Sequence, residues 1–398
     1  MPTRLRIDAI DAFFRIDQSM EEKNSATSSR VRKVNRNTPA ARWNLEISRR
    51  IRRALDKDPE ADITALLPST YSKQLRSMKT SVTPQQSISN QGAKPTQLSQ
   101  HHYDIRSQLD ASKNLAIISE PSPTLQALFP SKDLSHAIVD LLEQGRVLYN
   151  SPSTIVLGVH DTIAAKITHE NLTTEQATLS YLQRQLPNLP IPRPHGLVRL
   201  GTFYILFTSL IPGVSLDKIW SRLEESQKQD ISYQLDYIFS KLRSLPFPDH
   251  HLIGGVDREG CKDIRRNVRT NFEPIERVKQ FEDFIFTGSI IASPLYVDLL
   301  RSFAQGFQSK CVFTHGDVRP ANIMMDKAGD GNWKVVAIID WDASGFYPEY
   351  WECVKVTNNL TSRETCDWYK YVPKSLSPQR YPIQWLVDRV WDRDMINS

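Results

Sequence analysis

The chain has 398 residues, enough for two or three domains, with 40% apolar and 24% charged side chains. That balance excludes a wholly disordered, collagen-like or disulfide-stapled protein. Net charge is +5 but uneven: residues 1–100 hold 18 basic and 10 acidic groups, a net of +8, and the remainder is net −3. In chain order, Met1 to Phe14 alternates apolar and charged residues and lacks the apolar core of a secretory signal. No run approaches the ~18 apolar residues of a membrane span, so a cytoplasmic location without a transmembrane segment is expected. Trp43, Ile47, Ile51 and Leu55 recur every four residues and predict a helix near 42–56, flanked by Arg49, Arg50, Arg52 and Arg53. Such a basic helix either serves nucleic acid or an anionic surface, or is simply solvated. From Ser69 to Ser122 the chain is rich in Ser, Thr, Gln and Pro, so 1–125 reads as a mostly disordered basic extension.

Compact structure is expected from about Leu125. Leu134, Ile138, Leu141 and Leu142 have helical spacing, and Gly145 can end that helix. Arg146–Tyr149, Thr154–Val159 and Ile163–Thr168 read as a small antiparallel meander. A helix follows over Thr173–Leu186, capped by Thr173 or Thr174, and Pro187, Pro190, Pro192 and Pro194 forbid its continuation. Two more strand runs lie near Gly196–Arg199 and Thr202–Leu210. Beyond Pro212 the pattern turns helical at Leu216–Leu223, Gln229–Leu245 and Tyr296–Phe307. Strands return at Val312–Thr314 and in a hairpin, Ile323–Met325 with Val335–Ile339. The expected fold class is α+β, a two-lobed protein-kinase-like fold. A small antiparallel lobe with one helix spans 126–211, and a larger, mainly helical catalytic and substrate lobe spans 212–398. Cys261, Cys311, Cys353 and Cys366 form no CxxC pair and read as reduced thiols. His101-His102 and His250-His251 read as loop histidines. Ile383, Leu386, Val387, Val390 and Trp391 predict a final helix that caps the large lobe.

The segment Phe313-Thr-His-Gly-Asp-Val-Arg-Pro-Ala-Asn322 carries the chemistry. Asp317 and Asn322 stand five residues apart on a loop, and Asp340 ends a buried strand eighteen residues on. Phosphoryl transfer needs such a set: one carboxylate for the hydroxyl proton, an amide oxygen and a second carboxylate for magnesium. His315-Gly316-Asp317 with Asn322, then Ile339-Asp340-Trp341, resembles the signature pair of the aminoglycoside phosphotransferase and choline kinase-like family. Gly345-Phe-Tyr-Pro-Glu-Tyr-Trp-Glu352 resembles a fungal-type branch of it. The likeness covers about residues 140–360.

That resemblance implies an ATP-dependent small-molecule phosphotransferase, with ATP or GTP as donor and Mg2+ as cofactor. It makes Asp317 the base and Asn322 and Asp340 the metal ligands. His315 then braces the loop. Arg319 neutralises Asp317 or phosphate, or lies at the surface, and Asp342 is a metal neighbour or an exposed acid. Ile163-Ala-Ala-Lys166-Ile167 resembles the phosphate-pairing strand lysine, with Glu175, or else Glu170, as its partner. Ser151 and Ser153 occupy the phosphate-covering turn, which has no Gly-rich loop. Thr208, Ser209 and Leu210 mark the purine-binding hinge. The partners implied are a nucleotide and a small-molecule hydroxyl acceptor. The competing readings are an atypical protein kinase and a catalytically silent binding protein on the same fold.

Overall fold

The computed structural model describes residues 39–56, single positions from 58 to 75, and 104–129, 133–264, 269–271, 273–287, 292–304, 309–329 and 331–396. The expectations for Met1–Phe14, for the polar stretch over 76–103 and for His101-His102 lie outside the described residues. The chain divides into a unit over Met1–Leu98 and a larger one over Ser99–Ser398.

In the first unit, α1 (Pro39–Leu55) buries Ala40 and Ile47, and Tyr71 donates its hydroxyl hydrogen to Asn44 Oδ1 at 2.7 Å. Arg49, Arg50, Arg52 and Arg53 are exposed. Helical stability comes mostly from packing of an apolar face, and Ile47 supplies it here.

The second unit starts with a six-stranded antiparallel sheet. Its strands are β1 (Leu115–Ser119), β2 (Arg146–Asn150), β3 (Thr154–His160), β4 (Ile163–Thr168), β5 (Pro194–Leu200) and β6 (Phe203–Ser209), in the order β1-β5-β6-β4-β3-β2. Composition assigns residues 104–125 to the extension, and the structure corrects this. Leu115 pairs with Leu200, and Ile105 and Leu125 are buried in the small-lobe core. Five strand residues diluted by Ser- and Pro-rich flanks leave no compositional trace.

Asp133 caps α2 (Leu134–Glu143) by accepting the N–H groups of Ser135 and His136. The buried Ile138 and Leu142 of that helix join Ile155, Leu157 and Ile167 in the core. At α3 (Thr173–Gln185) the expected threonine cap is replaced. Leu172 holds the cap position and is buried against Leu197 and Leu206, so that site serves packing. Capping passes outward to Asn171, whose Oδ1 accepts the Thr173 N–H at 2.9 Å.

The large lobe adds β7 (Val214–Ser215), β8 (Cys261–Asp263), β9 (Arg269–Asn271), β10 (Cys311–Thr314), β11 (Ile323–Lys327), β12 (Trp333–Ile338) and β13 (Gly345–Pro348). β12, β11 and β7 form one sheet, β10 pairs with β13, and β8 pairs with β9. Gly213 enters β7 with φ 99°, and a Cβ there would meet Met325 O at 2.2 Å, so β7 docks on β11 through a backbone contact only glycine permits. A short helical turn over Leu216–Ile219 is followed by α4 (Glu225–Arg243), α5 (Val278–Ile285), α6 (Pro294–Ala304), α7 (Trp351–Lys355) and α8 (Pro382–Ile396). Ile231, Leu235 and Phe239 of α4 share a core with Phe313, Ile338 and Trp341, the residues that flank the two functional loops. The architecture is the two-lobed protein-kinase-like fold. Among the described residues no helix is long and apolar enough to cross a membrane.

Candidate active site

The centre of the site is a lysine between two acids. β4 places Lys166 inside the sheet, opposite Val156 and Leu206. Its ammonium donates at 2.7 Å to Glu175 Oε2 on α3 and at 2.7 Å to Asp340 Oδ1 after β12. Glu170, the other candidate partner, is exposed. Burial opposes the charge on Lys166, but Asp340 and Glu175 outweigh it and hold its pKa above the ordinary lysine value. Lys166 holds the Asp340 carboxyl below the usual range. Burial lifts Glu175, with Lys166 opposing. Asp340 has φ 68°, the left-handed region that a non-glycine residue enters at a cost. Three contacts hold it there: Lys166, the Trp341 N–H on Glu175 Oε1 at 3.4 Å, and the Trp341 Nε1–H on Ile338 O at 2.9 Å.

The second loop follows β10. Asn322 Nδ2 donates to both Asp317 O and Asp317 Oδ2 at 2.9 Å, and Arg319 Nε donates to the same Oδ2 at 3.0 Å. Arg319 Nη2 lies 3.9 Å from Asp340 Oδ2, which brings the two loops together. His315 accepts the Asp317 N–H at Nδ1, 3.1 Å, and so carries its own proton on Nε2, which donates to Ile339 O at 3.1 Å. Both ring nitrogens are thereby tied to backbone groups of the two loops.

Sequence reasoning missed the carboxylate beneath this loop. Glu352 of α7 is fully buried and accepts the backbone N–H groups of His315 and Gly316, the latter at 3.1 Å. Burial pushes its pKa up. The one sequence signal was an acid two residues after Tyr350 in an otherwise apolar run. Gly316 has φ 85°, and a Cβ there would stand 2.4 Å from Ala343 O, so the two loops touch backbone to backbone. Asp342 is neither an exposed acid nor free: Lys262 of β8 donates to its Oδ1 at 2.9 Å and to its carbonyl at 3.0 Å.

The remaining expected residues lie further out. Ser151 Oγ accepts the Thr154 N–H and donates to Thr154 O, closing its own turn, and Ser153 is exposed. Thr208 pairs with Ala164 and Pro194 inside the sheet. The N–H groups of Ser209 and Leu210 are already given to Arg193 O and Thr162 O, so the hinge offers carbonyls there instead of amides. His251 bonds Leu252 O and Val256 O through its ring. All four cysteines are free; Cys261 and Cys353 are buried and Cys366 is exposed.

Asn322 and Asp340 are hard oxygen donors of the kind magnesium takes. Asn322 commits its Nδ2 to Asp317 and Asp340 commits its Oδ1 to Lys166, so Asn322 Oδ1 and Asp340 Oδ2 are the oxygens that would hold the ion. Among the described residues no three His, Cys, Asp or Glu side chains form a protein-only cage. Magnesium normally keeps waters and phosphate oxygens, so two protein ligands suit it.

A family profile described as the phosphotransferase enzyme family matches residues 162–382, more than half of the chain. The chain belongs to the phosphotransferase enzyme family. No curated protein matches it. Solved structures similar to it include aminoglycoside phosphotransferase APH(4)-Ia, at 12% identity and TM-score 0.44 over 66% of this chain and 91% of that one. The streptomycin–ATP complex of APH(2'')-IIa has 11% identity and TM-score 0.41 over 67% and 88%. APH(3'')-Id from Streptomyces rimosus ATCC10970 has 15% identity and TM-score 0.39 over 64% and 98%. The family match begins just before Lys166 and includes every residue of both functional loops.

Proposed function

We propose that this phosphotransferase moves the γ-phosphoryl group of ATP to a hydroxyl of a small molecule. Asp317 is the base, and Asn322 and Asp340 hold magnesium. The observation that carries this reading is the Lys166 ammonium shared between Glu175 and Asp340. An ammonium has three N–H donors. Two are fixed by the acids, and the third remains for the α- and β-phosphates of the nucleotide. Bound magnesium supplies the positive charge that neutralises the phosphates.

Asp317 orients the acceptor hydroxyl toward the phosphorus and takes its proton. Arg319 and Asn322 fix the Oδ2 of that carboxylate, so Oδ1 is the oxygen left to meet the hydroxyl. His315 and Glu352 hold the loop still while this happens.

The test is a melting curve with Mg-ATP, with Mg-GTP as comparison and Asp340→Ala as control. At a hundred times Kd a ligand of the folded state adds about 2.7 kcal/mol, a shift of several degrees. No shift in the wild type sinks the proposal. A shift abolished in Asp340→Ala supports it, and transfer of radiolabel from ATP to a panel of amino sugars, choline, sugars and amino acids then locates the acceptor.

A further inference from the structure

The large lobe carries an apolar surface that phosphoryl transfer does not use. On α6, Leu295, Leu299 and Phe303 follow one another at four-residue spacing and are 83%, 55% and 59% exposed. On α8, Ile383, Leu386 and Val390 are 46%, 52% and 40% exposed. The two helices pack on each other, and their inward residues, among them Leu300, Val387 and Trp391, belong to one core. The core therefore accounts for a different face of each helix, and the six outward side chains are in excess of what the fold requires.

Six side chains exposed to this degree present roughly 600 Å2 of apolar surface, the upper end of what a monomer leaves uncovered. A stable interface buries about 800 Å2 on each partner, of which a little over half is apolar. The two stripes supply that apolar share. The flanks carry both signs, Asp298 and Arg301 on α6, Asp388 and Arg389 on α8, so no single-sign field opposes a second copy. The α8 stripe lies almost wholly beyond the matched residues 162–382, whereas the α6 stripe lies within them.

We infer that α6 and α8 form the interface of a homodimer. A twofold axis sets the same patch against itself, which closes the assembly at two copies.

Sedimentation of the full chain at micromolar concentration tests this. The wild type sediments as a dimer. Leu299→Asp and Leu386→Asp, one on each helix, each weaken the dimer by roughly tenfold or more. Both sites are exposed, so the melting curve of the monomeric variants keeps its cooperative transition. Hydrogen exchange of the wild type gives a readout that needs no variant: protection over 294–304 and 382–396 rises with protein concentration. A wild type that stays monomeric overturns the inference. So does a dimer that survives either substitution, or protection independent of concentration.

Discussion

Asp317 Oδ2 is shared by Arg319 and Asn322, and this fixes the orientation of the carboxylate. Asp317→Asn keeps the shape and one hydrogen bond but cannot take a proton. Steady-state kinetics with the identified acceptor show kcat lower by about a thousandfold, with the Kd for ADP unchanged within about twofold. Lys166 gives a pH signature. Asp340 is held below its ordinary value of 3.8, so the pair contributes stability above that pH and loses it as pH falls through the lower folded value. In Lys166→Met both acids lose their cation, burial lifts their pKa values, and ionising them then costs stability as pH rises. Urea unfolding therefore shows a deficit in Lys166→Met that is small at pH 4 and grows to about 2 kcal/mol at pH 7, discounted because Asp340 is 34% exposed. A constant deficit across that range refutes the assignment.

Two loops hold the chemistry, and each is held by an element elsewhere in the chain. Glu352 of α7 satisfies two backbone N–H groups of the loop after β10. Glu352→Ala leaves both buried without an acceptor and lowers unfolding stability by roughly 3 kcal/mol, while nucleotide affinity persists and kcat falls. Gly316→Ala forces a Cβ toward Ala343 O at a left-handed φ and costs about 2 kcal/mol or more, read as a lower melting temperature. Asp317, Asn322 and Asp340 stand out as candidates in the sequence because their spacing is local, and the structure brings their two loops together. Lys166 stands out through its apolar strand, and the structure sets it against Glu175 and Asp340. The sequence does not show what Glu352 does, because a buried acid looks like any other acid until its burial is known. The bonds of the Ser209 and Leu210 N–H groups to Arg193 O and Thr162 O are likewise invisible in those two residues themselves.

At the scale of the molecule, the least legible feature was where the compact unit begins. β1 is short, lies in polar surroundings and, among the described residues, pairs with the distant β5 alone. Two deletions separate the readings. Removing residues 1–98 leaves the melting transition of the second unit intact. Removing 1–125 takes away β1 together with the buried Ile105 and Leu125, and lowers stability by roughly 5 kcal/mol. The bridge from Lys166 to Asp340 spans 174 residues of chain. During synthesis the lysine emerges long before its acid, so a nascent small lobe holds an ammonium with half its complement of counter-charge. The bridge thus closes only when β12 has been made and docked, which makes it a mark of a completed chain.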